Sequence, residues 1–131
     1  MKLYRVIFPV KDIEIAMRFY SRVFEHPGER VSPGRHYFDC GGVVLACYDP
    51  VADGDDLASG WSHHPNQYAY FSVSDLPATL ERVKAAGGEI VSSIETMPWG
   101  ETLFYARDPS GNPISFVDER TTFTGGSEAR C

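Results

Sequence analysis

Apolar and polar positions alternate from Tyr4 to Val10, with Tyr4, Val6, Phe8 and Val10 on one face and Arg5, Ile7 and Pro9 on the other. A period of two is the mark of a strand with one buried face. Asp12 follows as a helix N-cap, its carboxylate placed to accept from free backbone N–H groups. From Ile13 to Phe24 the period changes, and Ile13, Ala16, Met17, Tyr20, Val23 and Phe24 form a helical stripe that Pro27 and Gly28 end. The same plan returns later. Ala69, Phe71 and Val73 make the apolar face of a strand, with Tyr68, Tyr70 and Ser72 opposite. Asp75 is again a cap, Pro77 lies in the first turn where a missing N–H is tolerated, and Leu76, Leu80 and Val83 supply the stripe before Gly87-Gly88.

Each helix is followed by three strand-like runs. In the first half they lie near Arg30–Val31, Arg35–Asp39 and Val43–Tyr48; in the second at Glu89–Ser93, Thr102–Arg107 and Pro113–Val117. The closing hairpins turn at Cys40-Gly41-Gly42 and at Asp108-Pro109-Ser110-Gly111-Asn112. The pattern is a βαβββ unit used twice: an α+β chain with a first module at residues 1–48, a linker at 49–66, a second module at 67–119 and a polar, frayed tail at 120–131. At 131 residues these form one compact domain.

Charge and cysteine content narrow the function. A net charge of −6 with no basic cluster argues against nucleic acid, whose phosphates require grouped Lys and Arg. The opening MKLYRVIFPV is too short to span a membrane and lacks a cleavage site, so a cytoplasmic location without membrane contact is expected. Cys40, Cys47 and Cys131 show no CxxC spacing, which disfavours a disulfide framework or zinc cluster.

Trp99-Gly100 and the run Tyr105-Ala106-Arg107-Asp108-Pro109-Ser110-Gly111-Asn112-Pro113-Ile114, together with the paired Val-x-Asp-(Ile/Leu) helix entries and Phe19-Tyr20, resemble the vicinal-oxygen-chelate superfamily over residues 3–118. This group comprises glyoxalases, bleomycin-resistance proteins and extradiol dioxygenases. The resemblance implies two βαβββ modules whose mixed sheets curve into a cup with helices outside. It also implies chemistry inside that cup, and a homodimer. Metal enzymes of the superfamily place His, Gln or Glu on the first and last strand of each module. The matching positions here are Arg5, Tyr68, Ser115, and Leu45 (Ala46 if the register slips by one). A guanidinium and an aliphatic side chain cannot ligate a cation, and tyrosine and serine oxygens are poor ligands at neutral pH. Neither a metal nor another cofactor is therefore expected.

Strand alternation and the family register make Arg5, Ile7, Leu45, Cys47, Tyr68, Tyr70, Tyr105, Arg107 and Ser115 the expected cup lining, with Val43, Leu103 and Ser72 beside them and Trp99 at the rim. Such a wall suits a small organic ligand, anionic or aromatic, with Arg5 as anchor. The plainer reading of Arg5 is an ion pair with Asp49 or Glu101. His63 and His64 read as solvated loop residues, and His36 as a strand residue that nothing in its spacing singles out. Trp61, Trp99 and Phe123 are candidate dimer contacts. The function expected is metal-independent small-molecule binding. The alternatives are an isomerase or lyase using Tyr105, Glu101 or His36 in acid–base roles, and a partner subunit with a vestigial cup.

Overall fold

The computed structural model describes residues 1–55 and 64–123. The first half runs β1 (Arg5–Pro9), α1 (Ile13–Phe24), β2 (Glu29–Ser32), β3 (Arg35–Cys40) and β4 (Val43–Tyr48). The second runs β5 (Ala69–Val73), α2 (Leu76–Ala85), β6 (Glu89–Ile90), β7 (Glu95–Thr96), β8 (Thr102–Arg107) and β9 (Pro113–Asp118), then a 3-10 turn at Glu119–Thr121. Both helices begin where the caps require. The Asp12 carboxylate accepts from the N–H groups of Glu14 and Ile15, and that of Asp75 from Ala78. In place of the single strand expected over Glu89–Ser93 there are two short ones, β6 and β7, both antiparallel to β8.

Each half forms a mixed sheet, in the order β1-β4-β3-β2 and β5-β9-β8-β6, with β7 also on β8. The first and last strands of each half are parallel neighbours, β1 to β4 and β5 to β9. The sheets are not joined, and β1 and β5 are outer strands. This is the α+β fold of two βαβββ modules that the resemblance implies.

One core serves both halves. Phe8, Phe38, Leu45 and Cys47 from the first sheet and Phe104, Ala106, Ile114 and Phe116 from the second meet the apolar faces of α1 and α2 there. Phe24 bridges the sheets, its ring centroid 5.5 Å from Phe38 and 5.2 Å from Phe71. The expectation that Tyr4 and Val6 share the buried face of the first strand is corrected. Tyr4 is 60% exposed and Val6 37%. The buried face of this strand begins only at Phe8, and Val6 lines an open groove instead.

A buried polar cluster fastens α1 to the β8–β9 turn. The Tyr20 hydroxyl donates to Asp108 Oδ2 at 2.7 Å, while Asp108 Oδ1 accepts from the N–H groups of Ser110 and Asn112. Asn112 Nδ2 donates both to Asp108 and to the Pro9 carbonyl, and Lys11 N–H donates to Ser110 Oγ. The start of the tail is anchored rather than frayed, since Thr121 Oγ1 accepts from the Thr102 N–H. His63, Trp61 and Cys131 lie outside the described residues.

Tyr20→Phe removes a fully buried hydroxyl and leaves part of the Asp108 carboxylate unsatisfied. It should cost about 1–3 kcal/mol, read from the midpoint of urea unfolding with an unchanged slope.

Candidate functional site

In each sheet the strands' side chains divide between the shared core and an opposite face. Register fixes which residues share that second face, because directly paired residues point the same way. On the second sheet Tyr70 pairs with Ser115 and Ser115 with Tyr105, while Leu103 pairs with Val117 and Arg107 with Pro113. Tyr68, Tyr70, Leu103, Tyr105, Arg107 and Ser115 thus occupy one face, in the register that sequence alternation implies. Their opposites, Ala69, Phe71, Phe104, Ala106, Ile114 and Phe116, belong to the core or pack against it.

On the first sheet one strand is out of phase with expectation. Ile7 pairs with Ala46 and Ala46 with Tyr37, whereas Leu45 lies beside Val6 and Phe38, and Cys47 beside Phe8 and His36. Leu45 and Cys47 are therefore core residues and do not face the cup; Val43, in the same phase, leaves with them. The cup face carries Arg5, Ile7, Arg35, Tyr37, Val44, Ala46 and Tyr48 instead. The run Val43-Val44-Leu45-Ala46-Cys47 has no polar member to set its phase. The equivalence of Ala46 with Ser115 follows once both are seen paired, to Ile7 and Tyr70 respectively. Burial pushes the Cys47 thiol well above its usual range and Cys40 up to about 11, so neither is poised as a thiolate.

The three tyrosines of the second sheet form one cluster. Tyr68 and Tyr105 have ring centroids 5.2 Å apart, and Tyr70 lies 6.3 Å from each. The Tyr70 phenol is pushed up to about 12, chiefly by its hydrogen bond to Tyr105 and then by partial burial and the nearby Glu101 carboxylate. Between Tyr70 and Tyr105 the Ser115 hydroxyl is buried and donates to the Phe104 carbonyl at 3.0 Å. Trp99 is exposed on the β7–β8 loop, and its Nε1–H donates to Glu101 at 2.7 Å.

On the first sheet the Arg5 guanidinium donates to the Tyr37 hydroxyl at 2.8 Å, and its Cζ lies 5.5 Å from the ring centroids of Tyr4 and Tyr37. The ion pair expected with Asp49 or Glu101 is absent. Asp49 accepts from the N–H groups of Ile13 and Ala52, and Glu101 from Trp99. Arg35 differs from Arg5. It stacks on Tyr48 at 4.4 Å and pairs with Asp53, whose carboxylate is held below its usual range chiefly by the Ser32 hydroxyl. Tyr48 in turn donates to Asp55. His36 takes no place on this face. It is buried among core rings, with Nε2 on the Pro27 carbonyl and Nδ1 accepting from Arg30.

The positions where the resemblance would put metal ligands are thus Arg5, Ala46, Tyr68 and Ser115. Arg5 offers only donors, Ala46 no lone pair, and the Ser115 hydroxyl is turned to a backbone carbonyl. This donor set does not fit a divalent ion. Among the described residues no group of three or more His, Cys, Asp or Glu side chains could hold a metal ion, and no helix is long and apolar enough to cross a membrane.

An unfolded tyrosine titrates near 10, so the Tyr70–Tyr105 contact should stabilise the fold below that pH and lose its contribution as pH rises through about 12. Tyr105→Phe should bring the Tyr70 titration, followed by the NMR shift of its labelled Cζ, back towards 10.

Comparison with known proteins agrees with this architecture. A lactoylglutathione lyase of Haemophilus influenzae is 24% identical over 137 aligned positions, covering 95% of this chain and 98% of that protein. A glyoxalase-related enzyme from Fulvimarina pelagi superposes with a TM-score of 0.73 at 21% identity, covering 90% of this chain and 88% of the other. A glyoxalase/bleomycin resistance protein/dioxygenase family enzyme from Burkholderia phytofirmans gives 0.75 at 17% identity, covering 90% and 98%. Residues 2–116 match the family model of the Glyoxalase/Bleomycin resistance protein/Dioxygenase superfamily, and the chain belongs to that superfamily.

Proposed function

We propose that this protein binds a small organic molecule without a metal, in a cup completed by a second copy of the chain. The observation that carries the reading is Arg5. A guanidinium exposed on the cup face, ringed by tyrosine and paired with no carboxylate among the described residues, is available to a ligand. It stands where a metal enzyme of the superfamily would carry a ligand to its ion, so one residue both removes the metal site and supplies a binding group. Arg107, Tyr68, Tyr70, Tyr105 and Ser115 form the opposing wall, with Ile7 beside Arg5 and Trp99 at the rim.

The need for a second copy comes from the strand edges. The two cup faces lie on opposite sides of their sheets from the shared core, and no hydrogen bond or ring contact joins them among the described residues. β1 and β5 end their sheets with unpaired edges, which is costly unless covered. Both border an open groove of about 990 Å³ lined by Val6, Leu45, Val23, Phe24, Phe71 and Val73. A second chain set against this groove places β1 of each copy by β5 of the other, covers the apolar patch and opposes the Arg5 face to the tyrosine face.

The second reading is an isomerase or lyase, favoured by the Haemophilus relative and by the Tyr70–Tyr105 hydroxyl pair with Glu101 nearby. His36 drops out of it because the ring is committed in the core. Turnover separates the readings, and lactoylglutathione, the compound in that relative's name, is the first to try.

Two outcomes are expected. Titration of the purified protein with zinc, nickel, manganese or ferrous ion should leave its melting temperature unchanged, since an ion bound only by the folded form would raise it. A stoichiometric, chelator-reversible rise would refute metal independence. Sedimentation equilibrium should give a mass near twice the 14.6 kDa of the chain, and a monomer at micromolar concentration would refute the shared cup.

A further inference from the structure

We propose that the ligand is an aromatic carboxylate, its carboxylate on Arg5 and Tyr37 and its ring on the tyrosine cluster of the opposing wall. The inference rests on the cup reading above and names the chemical class that cup selects. Arginine carries five N–H donors in a planar fork, of which Nη1–H is spent on the Tyr37 oxygen. Because Tyr37 accepts that bond, its own O–H remains to donate. Arg5 and Tyr37 therefore present a guanidinium edge and a phenolic hydrogen, a donor set that matches two coplanar anionic oxygens.

The second cation of this face, Arg35, neighbours Tyr37 and already has a carboxylate partner. Arg35 is neutralised by Asp53 and covered by Tyr48. Asp39 shares this face across β4, both it and Arg5 pairing with Val44, but it makes no ion pair with Arg5 and accepts from the Gly42 N–H. In a chain of net charge −6, an exposed arginine that pairs with no carboxylate among the described residues, on a ligand-facing wall, is a place for an anion. The rest of the choice comes from Tyr68, Tyr70 and Tyr105. Tyr105 meets both neighbours edge-to-face, at 68° and 80°, so the cluster offers both ring faces and ring edges to a planar guest. Phenols are neutral at pH 7, so the three rings themselves add no negative charge, and the carboxylate is directed to the opposite wall, away from Glu101 beside Tyr70.

The test compares 1-naphthoate with its neutral isostere 1-naphthamide and with the non-aromatic cyclohexanecarboxylate, by calorimetry on the intact protein near neutral pH. 1-Naphthoate should bind at least tenfold more tightly than either. Arg5→Gln should abolish that preference, and Arg5→Lys, which keeps the charge but loses the fork, should retain only part of it. Arg5 is exposed, so both variants should melt with the wild type, and Arg5→Lys preserves the test if Arg5→Gln does not fold. Equal or tighter binding of the amide would overturn the anion assignment while leaving a ligand-binding cup. Equal binding of 1-naphthoate to wild type and Arg5→Gln would overturn the role of Arg5. Failure of all three probes to bind would overturn the proposal together with the cup reading on which it rests.

Discussion

The arrangement of the whole molecule turns on the buried carboxylate of Asp108. It gathers the Tyr20 hydroxyl from α1, two backbone N–H groups of the β8–β9 turn and the Asn112 amide. The same Asn112 reaches the Pro9 carbonyl at the end of β1. A carboxylate this deep is tolerated only because each oxygen is satisfied. The cluster fixes the β1–α1 junction of one half against the closing hairpin of the other. Orientation of the two sheets then follows, and with it the direction in which each cup face points.

From that constraint the chemistry divides. One face of the first sheet carries a guanidinium with tyrosine around it, and one face of the second carries three tyrosines over a serine. Neither face alone encloses a ligand, and the core between the sheets has no polar group to spare: among the described residues every buried side-chain nitrogen and oxygen has a partner. The unspent donors lie on the outward faces. The scaffold of the superfamily is retained while the positions that would have bound an ion are given over to a cation, a methyl group and two hydroxyls.

Much of the fold could be read from the chain because its local signals agree with one another. The caps at Asp12 and Asp75, the change of period after each, and the Asp-Pro-Ser-Gly-Asn turn are short-range features, and each falls where the repeat requires. β5 could be phased for the same reason, since Tyr70 and Ser72 are polar enough to mark the side away from the core. β4 could not. Val43 to Cys47 is apolar throughout, both phases of the strand are equally compatible with a buried neighbour, and a slip of one residue exchanges Leu45 and Cys47 for Ala46 and Tyr48. Tyr37 went unnoticed for a related reason: in Arg35-His36-Tyr37-Phe38 the polar imidazole points inward, satisfied by Pro27 and Arg30, and reverses the expected alternation. Pairing between strands, absent from the linear sequence, resolves both.

In the proposed shared cup the Arg5 wall and the tyrosine wall meet only across two chains, and isotope-filtered NMR on a dimer mixed from labelled and unlabelled protein reads that meeting. Intermolecular contacts are expected from the Ile7 methyls of one copy to the Tyr70 and Tyr105 rings of the other. Contacts between these groups confined to a single chain would overturn the shared cup.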